Sequence, residues 1–101
     1  MNEQFISLPL INNTRENRFE MVVDGATSII EYRQLPGALA LLHTEVPQIL
    51  EGKGVAAAIV EKTFNYAKEN NVKIIPLCPY VLIYLKKHPE WNILIHEDYK
   101  K

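Results

Sequence analysis

Cysteine is almost missing from this chain: Cys78 is the only one in 101 residues. One thiol excludes an internal disulfide. His43, His88 and His96 lack ligand spacing, and Cys78 has no second cysteine near it, so no metal site is expected. Charge of one sign is also lacking. Eleven Lys and Arg against twelve Asp and Glu leave a formal net charge of −1, which argues against electrostatic binding of nucleic acid as the main task. No apolar run approaches the roughly 20 residues of a membrane span. The first residues, Met1-Asn2-Glu3-Gln4-Phe5, lack the basic start and apolar stretch of a secretory leader. A reducing cytoplasm is therefore the expected compartment. Internal repeats, low-complexity segments and linkers are absent. Glycine is scarce too, at four, so the two that stand close together, Gly52 and Gly54, are informative.

Hydrophobic residues make up 48% of the chain, enough for a globule with one core. A chain of this size buries roughly 60–70% of its unfolded surface. Phe19, Met21 and Val23 alternate with Glu20 and Val22, which predicts a strand over 19–23. Asp24-Gly25 is a hairpin turn signal, and the β-formers Thr27, Ile29, Ile30 and Tyr32 predict the returning strand over 26–33. Pro36-Gly37 gives the next turn, and 38–46 reads as a third strand. Links this short admit only antiparallel pairing. Upstream, 12–17 reads as turn or loop. Downstream, 47–52 is a loop and a helix follows over about 53–69. Its inward face is Val55, Ile59, Thr63 and Ala67, with Ala56, Val60 and Phe64 beside them. Asn70-Asn71 suits a helix stop. A short buried strand over 72–77 follows, parallel to the third through a right-handed crossover. A second helix is predicted over 80–88, with Pro79 at its first position and Pro89 beyond its end. The segment 91–95 reads as a last strand or a packed extension. The fold class is α/β in the broad sense (α+β): a mixed sheet, with an antiparallel N-terminal meander and then β-α-β-α. One compact domain spans 1–101, with 1–17 partly flexible.

The stretch 43–56 concentrates the functional signal. A strand runs into a glycine turn, and the turn runs into a helix. The first amides of a helix have no internal partner, and the helix dipole adds roughly half a positive charge at that end. Glycines let a phosphate approach without a Cβ in the way. Gly52, Lys53, Gly54, Val55 and Ala56 thus form a predicted site for a phosphorylated ligand. It is not a nucleotide P-loop, because Gly52-Lys53-Gly54 lacks the Lys-Ser/Thr ending. It is not a dinucleotide fold either, because a meander precedes it rather than a βαβ unit.

Four blocks carry a family resemblance. They are His43-Thr44-Glu45-Val46; Glu51-Gly52-Lys53-Gly54-Val55-Ala56; Pro76-Leu77-Cys78-Pro79-Tyr80; and Tyr84-Leu85 with Lys86-Lys87-His88-Pro89-Glu90. In register over 43–90, they resemble the GNAT superfamily of acyl-CoA-dependent N-acetyltransferases, and more closely its short, single-domain YjdJ-like branch. The resemblance implies that acetyl-CoA is bound as acyl donor. The implied reaction transfers acetyl to an unidentified amine, small molecule or protein, and the implied assembly is a monomer or weak dimer. The superfamily loop reads Gln or Arg, two residues, Gly, one residue, then Gly or Ala. Gly54 and Ala56 fill the small positions, and Glu51 stands where Gln or Arg is usual. The pair of helices that helps wall the acceptor site in larger relatives is missing, which implies an acceptor side that is open or completed by a partner.

The resemblance also implies roles. The Val46 amide, where two parallel strands splay apart, is the implied donor to the thioester oxygen. Tyr84, rather than Tyr80, is the implied acid for the leaving thiolate. The short branch points to Cys78 as an active-site residue, either accepting the acetyl group or lining the thioester pocket. Its place before Pro79 sets the thiol at the positive end of a helix. From the residues themselves, Lys53, Lys86 and Lys87 can meet phosphates as point charges. His43 and Glu45 are two apart on a strand, so they share a face, preceded on it by Leu39 and Leu41. Either can take the amine's proton. Plainer alternatives stand beside each reading. The lysines can be surface charge, His43 and Glu45 a structural pair, Cys78 a small buried hydrophobe, and both tyrosines core packing. At the level of the whole chain, the alternative is a non-catalytic acyl-CoA-binding or protein-interaction module.

Overall fold

Alternating apolar residues in the first half of the chain build four strands of a five-stranded sheet. The computed structural model describes residues 3–100. The strands are β1 (Ile11–Asn13), β2 (Arg18–Val23), β3 (Ala26–Leu35), β4 (Ala38–Glu45) and β5 (Lys73–Pro76). They lie side by side in chain order. The first four are antiparallel and β5 is parallel to β4, reached through the crossover helix. The β2–β3 hairpin turns on Asp24 and Gly25, both at positive φ (49° and 78°). That is the left-handed geometry a two-residue hairpin needs.

One face of the sheet is the core. Phe19, Met21, Ile30, Tyr32, Leu39, Leu41 and Ile74 meet the apolar stripe of α2 (Val55–Glu69), which buries Ile59, Val60, Phe64 and Ala67. The buried Thr63 hydroxyl donates to the Ile59 carbonyl one turn earlier, at 2.8 Å, and so is satisfied. α3 (Pro79–Lys87) packs beside α2, with the Phe64 ring edge-on to Tyr84 and to Trp91. Burying an aromatic ring of this kind stabilises by roughly 1.5–3 kcal/mol. The short α1 (Glu3–Ile6) seats its buried Phe5 beside Gly54, where the start of α2 is held.

The structure departs from the sequence reading at two places and decides between its alternatives at a third. First, Ile11–Asn13, read partly as loop, is an edge strand paired with β2. Two asparagines in three residues hide the strand signal. Asn12 is held from the side: it accepts from the Tyr32 hydroxyl at 2.6 Å and donates to the Tyr66 hydroxyl at 3.3 Å. Second, α2 starts at Val55 rather than near residue 53, because Gly52 and Gly54 sit at φ 77° and 81°, outside helical space. At the third place the structure decides between two readings of 91–95: it is a packed extension rather than a last strand, with Pro89–Leu94 a 3-10 helix. Strand character is confined to an isolated parallel bridge between Ile95 and Ile74, beside which the His96 amide donates to the Ile74 carbonyl at 2.8 Å.

Candidate active site

A β-bulge decides which side chains reach the site. Tyr32 pairs with Leu41, but the next β3 residue back, Glu31, pairs with His43, so Leu42 is the extra residue. A one-residue insertion flips every later side chain to the other face. Thr44 therefore turns into the core opposite Ile30, while His43 and Glu45 turn to the open face. The sequence reading put His43 and Glu45 on the same face as Leu39 and Leu41. They share a face with each other, but the bulge puts it opposite those leucines.

β4 and β5 part company just past the bulge. Their pairing covers Ala38–Leu41 against Lys73–Pro76, and the Leu77 amide donates the last bond to the Leu41 carbonyl at 3.1 Å. β4 runs on to Glu45 paired with β3 only, while the segment after β5 leaves through Cys78 into α3. Leu42 and Leu77, the residues next after the last paired ones, are exposed, as is Tyr80 in the first turn of α3. Inside, the fully buried Cys78 lies 3.2 Å from the Thr44 hydroxyl, sulfur to oxygen. Thr44 was not among the residues singled out from sequence. Its inward turn depends on the bulge, which no local pattern announces.

The glycine loop stands at the same end of the sheet. The first bond of α2 runs from the Ala58 amide to the Gly54 carbonyl at 3.1 Å. Among the described residues, none of the amides over 52–57 makes a well-formed backbone hydrogen bond. The Val46 amide likewise has no partner. A Cβ at Gly52 would meet nothing within 4 Å, and one at Gly54 only Phe5. Lys53 and Glu51 are both exposed.

Comparison with known proteins decides the family. A model of the GCN5-related N-acetyltransferases matches residues 18–94, which takes in the meander, the glycine loop and α3. The chain is a GCN5-related N-acetyltransferase. Its fold is also that of a GCN5-like protein of Staphylococcus aureus whose structure was determined by NMR in solution. The two chains are 28% identical, the match covers 90% of each, and the TM-score is 0.67.

In this N-acetyltransferase the remaining sequence-predicted residues lie farther along α3 than Cys78. Tyr84 is buried and its hydroxyl donates to Glu61 Oε1 on α2 at 3.0 Å. Burial, and then that carboxylate partner, push its phenol well above the ordinary range, while a side-chain hydrogen bond with Trp91 acts the other way. Lys86 and Lys87 are in the last turn of α3, at the opposite end from Cys78. At 1.5 Å per residue that is about 12 Å away, so a ligand must be long to touch both ends.

Proposed function

We propose that this chain binds acetyl-CoA and transfers its acetyl group to an amine. The observation that carries the reading is the row of unengaged amides over 52–57, at the positive end of a fifteen-residue helix and behind two glycines. This arrangement suits a diphosphate bound through backbone N–H groups. Lys53 adds a cation beside it, and Lys86 and Lys87 are the candidates for a more distant phosphate. Glu51 is exposed, so nothing in the fold holds its carboxylate against the anion.

The thioester then falls in the gap between β4 and Cys78. The Val46 amide donates to its carbonyl oxygen and offsets the charge that develops there. The acceptor nitrogen forms a bond to the acyl carbon, the carbon–sulfur bond breaks, and the coenzyme leaves as a thiol. His43 or Glu45, on the open face, takes one of the two protons that the ammonium gives up, and the other ends on the leaving sulfur. Cys78 either carries the acetyl group in between or packs against it, with Thr44 fixing its sulfur. Tyr84, tied to Glu61 and holding its proton tightly, serves the packing of α3 against α2 more readily than it serves as the acid for the thiolate.

An amide chemical-shift titration with acetyl-CoA tests the donor site. Shifts concentrated at Val46, Gly52, Lys53, Gly54, Val55, Ala56 and Cys78 are expected, and no calorimetric heat at millimolar acetyl-CoA overturns the reading. Intact mass after incubation then separates the routes. An acetyl adduct lost in Cys78→Ala identifies a covalent intermediate, whereas coenzyme release only with added amine identifies direct transfer. Binding with neither outcome identifies an acyl-CoA-binding module.

A further inference from the structure

The bulge at Leu42 also brings Glu45 onto the open face of the sheet, beside a cavity. Arg18, Thr27, Ile29 and Glu45 line it together with the 46–48 segment, and its volume is about 490 Å³. It shares the Glu45–Val46 stretch with the place proposed for the thioester, so a molecule held there has the acyl carbon within reach.

Two opposite charges border this cavity with bonding capacity unspent. Arg18 donates through Nε to Glu20 Oε2 at 2.7 Å, and Asn13 Nδ2 donates to the same oxygen at 3.0 Å. The Asn13–Glu20 pair pins the guanidinium from one side. Its two terminal nitrogens, the pair that matches a carboxylate in a fork, make no hydrogen bond among the described residues. Glu16 and Glu31 act on Arg18 through space only. Glu45 makes neither a hydrogen bond nor an ion pair among the described residues. β2 and β4 are two strand spacings apart, about 9–10 Å, and Arg18, level with Glu31, stands two residues along from Glu45, level with Ile29. Two long side chains reaching over β3 can close that gap onto a molecule the size of a free amino acid, with Thr27 and Ile29 beneath it.

We propose that this cavity is the acceptor subsite and that it takes a small zwitterionic amine. Glu45 holds the amine next to Val46, and Arg18 holds the carboxylate. The inference rests on the acetyl transfer proposed above and names its substrate class. A diamine would set its second cation against Arg18. A neutral amide would forgo the charge-assisted fork that the part-exposed Arg18 guanidinium offers a carboxylate. In the reaction the amide N–C bond forms and the thioester C–S bond breaks. Of the two protons the ammonium loses, one passes to Glu45 and on to solvent, and the other ends on the departing sulfur.

The test uses the full chain saturated with acetyl-CoA. Coenzyme release is measured with the common L-amino acids, with their carboxamides, and with putrescine. At least one amino acid should turn over with kcat/KM tenfold or more above its own carboxamide and above putrescine. Arg18→Gln should bring the acid-to-amide ratio close to one, mainly through KM. Faster turnover of putrescine or a carboxamide, no turnover of any amino acid, or an unchanged ratio in Arg18→Gln overturns the proposal. Should that variant fail to fold, the wild-type ratio decides, together with a shift titration in which the acid but not its carboxamide must move Thr27, Ile29 and Val46. Calorimetry with acetyl-CoA alone runs in parallel. No heat there overturns the donor site itself, whereas heat without acid-selective turnover overturns only the acceptor class.

Discussion

Gly54 sits at φ 81° and ψ 13°, immediately before the first residue of α2. A side chain there pays for left-handed backbone, about 1–2 kcal/mol. It meets only Phe5, at the ordinary contact distance of 4.0 Å, so strain rather than crowding sets the penalty. Gly54→Ala is expected to lower the unfolding free energy by about 1 kcal/mol in a urea titration, and to weaken acetyl-CoA binding several-fold as the amides behind it reorient. This residue was legible from sequence because two scarce glycines stand two apart just ahead of a helical pattern. Thr44 and Arg18 were not. Thr44 looks inward only because β4 holds one residue more than the matching stretch of β3, a mismatch visible only once the strands are aligned. Arg18 matters because it lines one cavity with Glu45 from across β3, a long-range neighbour no window of sequence contains.

At the scale of elements, α2 and α3 are braced by the Tyr84–Glu61 bond and the Phe64 ring between Tyr84 and Trp91. Tyr84→Phe keeps the rings and removes the bond, a loss of about 1–2 kcal/mol near pH 8. Its pH dependence has a definite sign. An unfolded tyrosine ionises near 10.0, whereas folded Tyr84 keeps its proton to higher pH. Above pH 10 the unfolded chain therefore binds fewer protons than the folded one, and stability falls as pH rises. The gap between wild type and Tyr84→Phe should be full below pH 10 and close above it, as measured by denaturant unfolding across pH 8–11. The three central strands, the crossover helix and α3 were readable from periodicity and from the prolines that bracket α3. The edge strand β1 was not, because its pairing and the Asn12 bonds to Tyr32 and Tyr66 outweigh the turn propensity of asparagine. The 91–95 segment was readable only as a choice between strand and packed extension, because Ile93 and Leu94 look strand-like until Pro89 is seen to open a 3-10 helix.

Across the whole molecule, the parallel edge of the sheet is closed by the chain's last described stretch. Ile95 is buried against Ile74, and His96 occupies the Ile74 carbonyl. An uncovered edge strand is a template for pairing between molecules. Truncation after Leu94 is expected to lower stability by about 2 kcal/mol or more through loss of the buried Ile95. It should also convert the protein to concentration-dependent aggregates on size-exclusion chromatography.

The seating of Phe5 next to Gly54, strengthened by the Lys62 ammonium donating to the Ile6 carbonyl at 3.2 Å, makes the loop's shape hostage to a segment some fifty positions upstream. Purification handles fused ahead of Glu3, or trimming that removes Phe5, would then register as altered coenzyme affinity even though neither comes near the thioester. Assays of this enzyme are best compared between preparations that share the same leading residues.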